Sequence, residues 1–391
     1  IRDRASAPLW ATVTRPNSSA RFKADKKSVC PWRQALFLYR KDCDNMAETM
    51  KACVLAGPQK IVVQDVPVPE LKPGELEIEV KACGVCGSDI HMWKTGKGWA
   101  EQDGEFHMGH EFCGVVTNPG SSSFKVGDRV TFWANLYCGE CDMCRAGLEH
   151  LCRFVDGTNY VGFVCNGGYA QKFVGRASNA YKLPDTVSDV AAGLIDPLMV
   201  AYHAVKHSGL RLNDKVLVVG TGIIGHFMCD LTRKAGASFV AMSKRHDIKT
   251  RKARELNLCD TFYESSPESV KQMLEDTDGG FDVVFEAVGA AETLNMCIEA
   301  VKPGGEIVMV GNSIEPQISV DVNRLVLKEV KLHGSVSCTR TEFTETINLI
   351  ASGMVDAESF VTDIVPLDDL QHTFERLTDH NDPILKAVVK P

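Results

Sequence analysis

From Lys215 onward the chain repeats one pattern: a short apolar run, a turn carrying glycine, and a stretch of helical period. The apolar runs read KVLVVG, SFVAMS, DVVFEAVG and EIVMVG. Strands alternating with helices in this way specify a doubly wound α/β domain. The text from Lys51 to about Lys182 has another rhythm. There ACVLAG, KIVVQDV, LEIEVKACG, GDRVTFW and AQKFV alternate or run apolar between Gly and Pro punctuation, with no helical period between them. That segment reads as a mostly β domain. After about Ser335 come a helical stretch, FTETINLIASG, and a strand-like AVVK.

The first 45 or so residues carry no repeating apolar pattern and are rich in Arg, Lys and Ser, which reads as a poorly ordered extension. An organelle transit peptide is the other reading, against which stand Asp3, Asp25, Asp42 and Asp44. Met46, with the strand pattern directly after it, resembles a natural start. A chain of 391 residues buries enough apolar surface to need no covalent staples, and 15 cysteines, an odd count, do not suit a pure disulfide framework. No apolar run reaches about 18 residues, so no membrane association is expected and a cytoplasmic placement is the default. The net charge of -8 offers no basic face for a phosphate backbone, and nucleic acid is not an expected partner.

Those cysteines find another use in Cys138, Cys141, Cys144 and Cys152, a CxxCxxCx7C cluster in a glycine-containing loop. Four thiolates at this spacing can wrap one tetrahedral zinc and leave no position for water or substrate, so the metal there is structural. A second set lies in ACGVCGSDIH and GHEFCG, where Cys86 and His110 are ligand types suited to another zinc, with a carboxylate and an open position completing it.

The third signal is GTGIIG, Gly220, Thr221, Gly222, Ile223, Ile224 and Gly225, between the strand KVLVV and the helix-compatible HFMCDLTRKAG. In that context it is the dinucleotide fingerprint: a tight turn, a backbone the pyrophosphate can approach, and a helix packed closely on a strand. An NAD enzyme places an acid about 20 residues further on. Here Ser243, Lys244 and Arg245 stand instead, a hydroxyl and two cations, which suit a 2′-phosphate. NADP is therefore favoured over NAD, the alternative being a solvated basic loop.

With these motifs in this order, the chain from about Met50 to Pro391 resembles the zinc-containing medium-chain dehydrogenases, in their polyol (sorbitol-like) and threonine dehydrogenase branches. The GVCGSDIH turn, GHExxG, the four-cysteine lobe, GGYAQ at Gly167 to Gln171 and GTGIIG carry the resemblance. It implies a GroES-like catalytic domain over 50–205, completed by 336–391, and a Rossmann cofactor domain over 206–335, behind an extension over 1–49. It also implies that Cys86 and His110 bind a catalytic zinc, with Glu111 a direct or exchangeable ligand. Asp196, in IDPLMVAYHAV, either ligates the metal or sits just outside it; its bland reading is a turn or capping residue before Pro197. Ser88 would pass the alcohol proton through the cofactor ribose to His91, and Asp89 would orient the histidine ligand.

The implied activity is hydride transfer between a secondary alcohol and NAD(P), giving the ketone. The substrate would be a polyol such as sorbitol, xylitol or arabinitol, with a threonine-type amino alcohol as the alternative. A catalytically silent zinc protein of the same fold is the rival from another class. Arg340 is a possible remnant of a pair binding substrate hydroxyls, and Trp93, Trp99 and Phe112 either line the pocket or belong to the core. The family forms dimers or tetramers, so a homo-oligomer is expected, with the contact on an edge strand around Gly305 to Asn312.

Overall fold

The computed structural model describes residues 48–97, 106–154, 160–312 and 317–391. Nearly all of the expected N-terminal extension, and Trp99, lie outside the described residues. Strands β1 (Thr49–Gly57) and β2 (Lys60–Pro67) form an antiparallel ribbon. Next come β3 (Glu75–Gly84), β4 (Glu111–Asn118), β5 (Arg129–Phe132), β6 (Lys172–Arg176) and β7 (Ala180–Lys182). In β3 the sequence alternates, and so does its burial: Leu76, Ile78, Val80 and Ala82 face the core while Glu79 faces solvent, as a period of two requires. Phe112, Phe132 and Phe173 pack on this face with ring centroids 4.6–5.3 Å apart.

The second half supplies β8 (Lys215–Val219), β9 (Phe239–Lys244), β10 (Thr261–Glu264), β11 (Phe281–Glu286), β12 (Val301–Met309) and β13 (Lys331–Gly334). They form one parallel sheet in the order β10-β9-β8-β11-β12-β13. Counted in chain order this is 3-2-1-4-5-6, and its direction reverses between β8 and β11, the crevice where doubly wound sheets take their ligands. Two later strands, β14 (Asp363–Pro366) and β15 (Ala387–Lys390), return to the first sheet, whose order is β14-β15-β3-β4-β5-β7 with β6 also on β3. The fold is a GroES-like mixed sheet joined to a Rossmann domain.

Four helices carry or brace the candidate site residues: α1 (Gly87–Thr95), α2 (Ile195–His207), α3 (Ile223–Lys234) and α4 (Arg340–Ala351). Leu198 and Met199 of α2 share one core with Val216 of β8, Phe227 of α3 and Phe343 of α4, so α2 ties the two halves together. Gly305 to Asn312 is not at an edge, because β13 pairs beside β12 in register from Glu306 opposite Lys331. The edges of this sheet are β13 on that side and β10 on the other. Among the described residues no helix is long and apolar enough to cross a membrane.

Candidate metal centres and cofactor turn

Between β5 and β6 the chain leaves the sheet as a lobe whose described residues include two short turns of helix, Asp142–Arg145 and Glu149–Leu151. What converges there is sulfur: the Sγ atoms of Cys138, Cys141, Cys144 and Cys152 all lie within 4.8 Å of one another. Cys138 and Cys144 are 3.8 Å apart, Cys141 and Cys152 3.9 Å. A disulfide needs about 2.05 Å, whereas four sulfurs held at about 2.3 Å from one tetrahedral zinc stand roughly 3.8 Å apart. Backbone amides of Glu140 and Cys141 each donate to Cys138 Sγ at 3.3 Å. The donor set fits zinc and leaves no open position.

The second centre forms where β3 ends and β4 begins. Gly84 lies opposite Glu111 in the antiparallel register, so the residues just beyond each strand end face one another. Cys86, the N-cap of α1, thereby meets His110 and Glu111, with their ligand atoms within 4.8 Å. The turn before β4 requires glycine: Gly109 has φ +95°, and a Cβ there would come 2.9 Å from Cys83 Sγ and from Tyr169. Asp89, completely buried, accepts the Cys86 amide at 3.0 Å and the Tyr169 hydroxyl at 2.7 Å, and its other oxygen is 3.5 Å from His110 Nδ1. Burial opposes charge on His110, but Asp89 and Cys86 outweigh it and hold its pKa well above the usual histidine range.

Glu111 Oε1 and Ser88 Oγ are buried with no hydrogen-bond partner, and His110 Nδ1 and Asp89 Oδ1 have only each other, at ion-pair distance. Unpartnered buried groups of this kind are costly. A thiol, an imidazole and a carboxylate oriented together are what a zinc ion with an open position takes, so the residues present fit the metal. Ser88 and His91 stand three residues apart on α1 and share a face. Asp196 is in the first turn of α2, outside the converging trio; burial raises its pKa to about 7, with His110 opposing and Glu111 adding to the rise.

Lys386, just before β15, has no motif to mark it in the sequence. Its ammonium is ion-paired with Glu111 Oε2 and donates to the Val85 carbonyl at 2.9 Å, both side chains being 1% exposed. Burial lowers its pKa, yet Glu111 and Cys86 more than offset this and raise it. Phe163, equally unmarked, sets its ring edge-on to His110 at 4.9 Å. Trp93 and Phe112 belong to the core: Trp93 packs on Phe374 and donates its indole N–H to Gln371 Oε1 at 3.3 Å, and Phe112 sits in the phenylalanine cluster. Arg340 donates to the Tyr181 hydroxyl at 2.9 Å and to the Ser178 carbonyl at 3.2 Å, so its guanidinium is already engaged.

The glycine turn follows β8 at the crevice and leads into α3, with Gly222 as its N-cap. Around the Cβ position of Gly222 there is open space, as a phosphate approaching the backbone needs. Ile223 and Ile224 begin the helix, half-buried against the core. Gly225 is the tight contact: a Cβ there would lie 2.1 Å from the Gly220 carbonyl oxygen. Gly225→Ala is expected to cost about 1–3 kcal/mol through overpacking, read as a lower Tm together with weaker dinucleotide binding by calorimetry. A variant with unchanged Tm and affinity would show that the turn yields freely.

At the end of β9 the three selectivity residues part company. Ser243 is fully buried and its hydroxyl is 2.5 Å from Ser265 Oγ. Lys244 is ion-paired with Glu264 and with Asp247 at 2.9 Å. Arg245 is exposed, with Glu292 at 3.6 Å.

Two family models match the chain in order: "Alcohol dehydrogenase GroES-like domain" over residues 72–185 and "Zinc-binding dehydrogenase" over residues 224–352. Sorbitol dehydrogenase of Bacillus subtilis is 29% identical over 350 residues, covering 88% of this chain and 98% of that protein. L-threonine 3-dehydrogenase of Coxiella burnetii is 32% identical over 320 residues, covering 78% of this chain and 90% of that protein. Among solved structures, a putative zinc-binding dehydrogenase from Sinorhizobium meliloti 1021, bound to NADP, superposes with a TM-score of 0.79 at 28% identity, covering 88% of this chain and 100% of that one. Sequence likeness of this extent, running through both sheets, makes the chain a member of the zinc-containing medium-chain alcohol dehydrogenases, enzymes that use a nicotinamide cofactor.

Proposed function

We propose that this enzyme oxidises a secondary alcohol group of a polyol to the ketone with NADP, using one catalytic and one structural zinc. The observation that carries the reading is the convergence of Cys86, His110 and Glu111 beside the unpartnered Ser88 hydroxyl. Domain boundaries at 50–205 with 336–391, and at 206–335, accompany it. A zinc bound by Cys86, His110 and Glu111 supplies Lewis acidity toward the substrate oxygen. Asp89 holds the His110 ring in place through its buried carboxylate, itself fixed by Tyr169 and the Cys86 amide. Ser88 and His91, one turn apart on α1, would take the hydroxyl proton of the alcohol and pass it on when substrate and dinucleotide are bound. Glu111, ion-paired with Lys386, would be the third residue to hold the metal, and Asp196, in the first turn of α2, would lie just outside. Cys138, Cys141, Cys144 and Cys152 hold the second zinc and fix the lobe.

The polyol assignment rests on likeness to sorbitol dehydrogenase. Likeness to L-threonine 3-dehydrogenase, at 32% identity, keeps an amino alcohol as the second reading. Metal analysis of the purified chain, with initial rates on sorbitol, xylitol, threonine and simple secondary alcohols under NADP or NAD, separates them. Two zincs per chain at the cysteine-containing centres and NADP-linked polyol oxidation are expected. One zinc that survives chelation, with no turnover on any substrate, would overturn the catalytic reading.

For the cofactor, Arg245 is the cation left to meet a 2′-phosphate, because Lys244 is shared between two carboxylates. A charge-assisted hydrogen bond contributes about 1.5–3 kcal/mol. Arg245→Asp is therefore expected to lower the NADP/NAD ratio of kcat/KM roughly ten- to hundredfold, and an unchanged ratio would remove the NADP assignment. A homo-oligomer, dimer or tetramer, belongs to the same proposal, with β13 as an available edge of the cofactor sheet.

A further inference from the structure

Away from these centres, α2, α4 and the Glu149–Leu151 turn bring three histidines and a glutamate together. His203 and His207 are four residues apart on α2 and so share one face. Glu342 reaches them from the first turn of α4, where it also accepts the Thr339 amide and hydroxyl, both at 2.9 Å. His203 Nδ1 is 2.8 Å from Glu342 Oε2, and His207 Nε2 is 2.9 Å from Glu342 Oε1. One donor atom from each of the three lies within 4.8 Å of the others. None of these residues has a part in the dehydrogenase chemistry.

A second observation points to a ligand. His150, in the cysteine lobe, is 6% exposed, its ring centre is 5.1 Å from that of His203, and its Nδ1 has no partner. A buried ring nitrogen left unpaired is unfavourable unless something else engages it. Lys206 is the competing cation, 3.8 Å from Glu342 Oε1, but Glu345 draws it away at 2.5 Å.

We propose that His203, His207 and Glu342, with His150 as the fourth donor, form a further binding site for Zn²⁺ or a similar borderline divalent cation. Imidazole and carboxylate suit such ions, and the scarcity of oxygen donors disfavours Mg²⁺ and Ca²⁺. Tetrahedral bonds of about 2.0–2.2 Å place neighbouring donors roughly 3.3 Å apart, so each His–Glu pair opens by only about half an ångström to admit the ion. Bound there, the ion would join α2 and α4 to the lobe two residues from Cys152, and it would act as a brace on the lobe's position and not on the reaction.

The test uses the full chain, dialysed against Zn²⁺ or Co²⁺, as wild type and as His207→Gln, His203→Gln and His150→Gln. His207 is 52% exposed, so its replacement leaves the fold in place. Wild type is expected to hold one equivalent more than His207→Gln and His203→Gln. The cobalt difference spectrum should show tetrahedral d–d bands without the thiolate-to-cobalt charge transfer that a cysteine site gives. His150→Gln should weaken that equivalent tenfold or more; unchanged affinity would remove His150 from the set. Equal metal counts and superimposable cobalt spectra for wild type, His207→Gln and His203→Gln would overturn the site. Because the readout is a difference between variants, it stands or falls separately from the number of zincs at the cysteine centres.

Discussion

His110→Ala is expected to lower kcat/KM by at least about a thousandfold and to halve the zinc held at the two cysteine-containing centres, from two to one per chain, while the cysteine lobe stays metallated. Lewis-acid polarisation contributes several kcal/mol to the transition state, and each ~1.4 kcal/mol is a factor of ten. His110 is one of three converging donors, buried between Asp89 and Phe163. Zinc analysis beside steady-state kinetics checks both halves of the expectation. If the variant kept two zincs and most of its activity, Cys86 and Glu111 would have to be binding the metal with some other residue. If zinc fell to zero, the two centres would be coupled through the fold, and the activity loss could not be assigned to catalysis alone.

Lys386→Met is expected to destabilise the metal-free protein by about 3–5 kcal/mol, the usual cost of leaving one buried charge without its partner. Glu111 and Lys386 are each 1% exposed, so water cannot take over from the lost ammonium. Metal changes the balance. A zinc ion at Cys86 and His110 gives the Glu111 carboxylate another positive neighbour, so the loss should shrink when the protein is loaded with zinc. Urea unfolding of wild type and variant, each with chelator and with zinc, reads this as a difference of differences. An equal loss in both states would mean that Glu111 never turns toward the metal.

Much of the fold and of both cysteine centres was legible in the sequence because it depends on local period and spacing. The doubly wound half announced itself through apolar runs with helical text between them, and the four cysteines of the lobe through their separations alone. The same local information placed Cys86 and His110 among ligand candidates, although only the register of β3 on β4 shows why they meet. Three features lay beyond it. Spacing counts bring Ser243 to the cofactor end of β9, but the partner of a strand-end hydroxyl is set by the neighbouring strand, and here it is Ser265. The expectation of an edge at Gly305 to Asn312 failed because the order of strands in a sheet is a tertiary fact, and β13 covers β12. Lys386 was invisible because its partner is 275 positions away and neither neighbour in the chain hints at the pairing.

That long separation also has a meaning in time. On the ribosome, β3 and β4 emerge early, whereas β15, which pairs Val388 with Gly84, comes roughly 300 residues later, an interval of about 15–60 s at 5–20 residues per second. Throughout it the end of β3 beside Cys86 is an open edge, and Glu111 has no lysine. A nascent chain therefore exposes the Cys86, His110 and Glu111 side of the sheet well before Lys386 arrives to pair with Glu111 and β15 closes that edge.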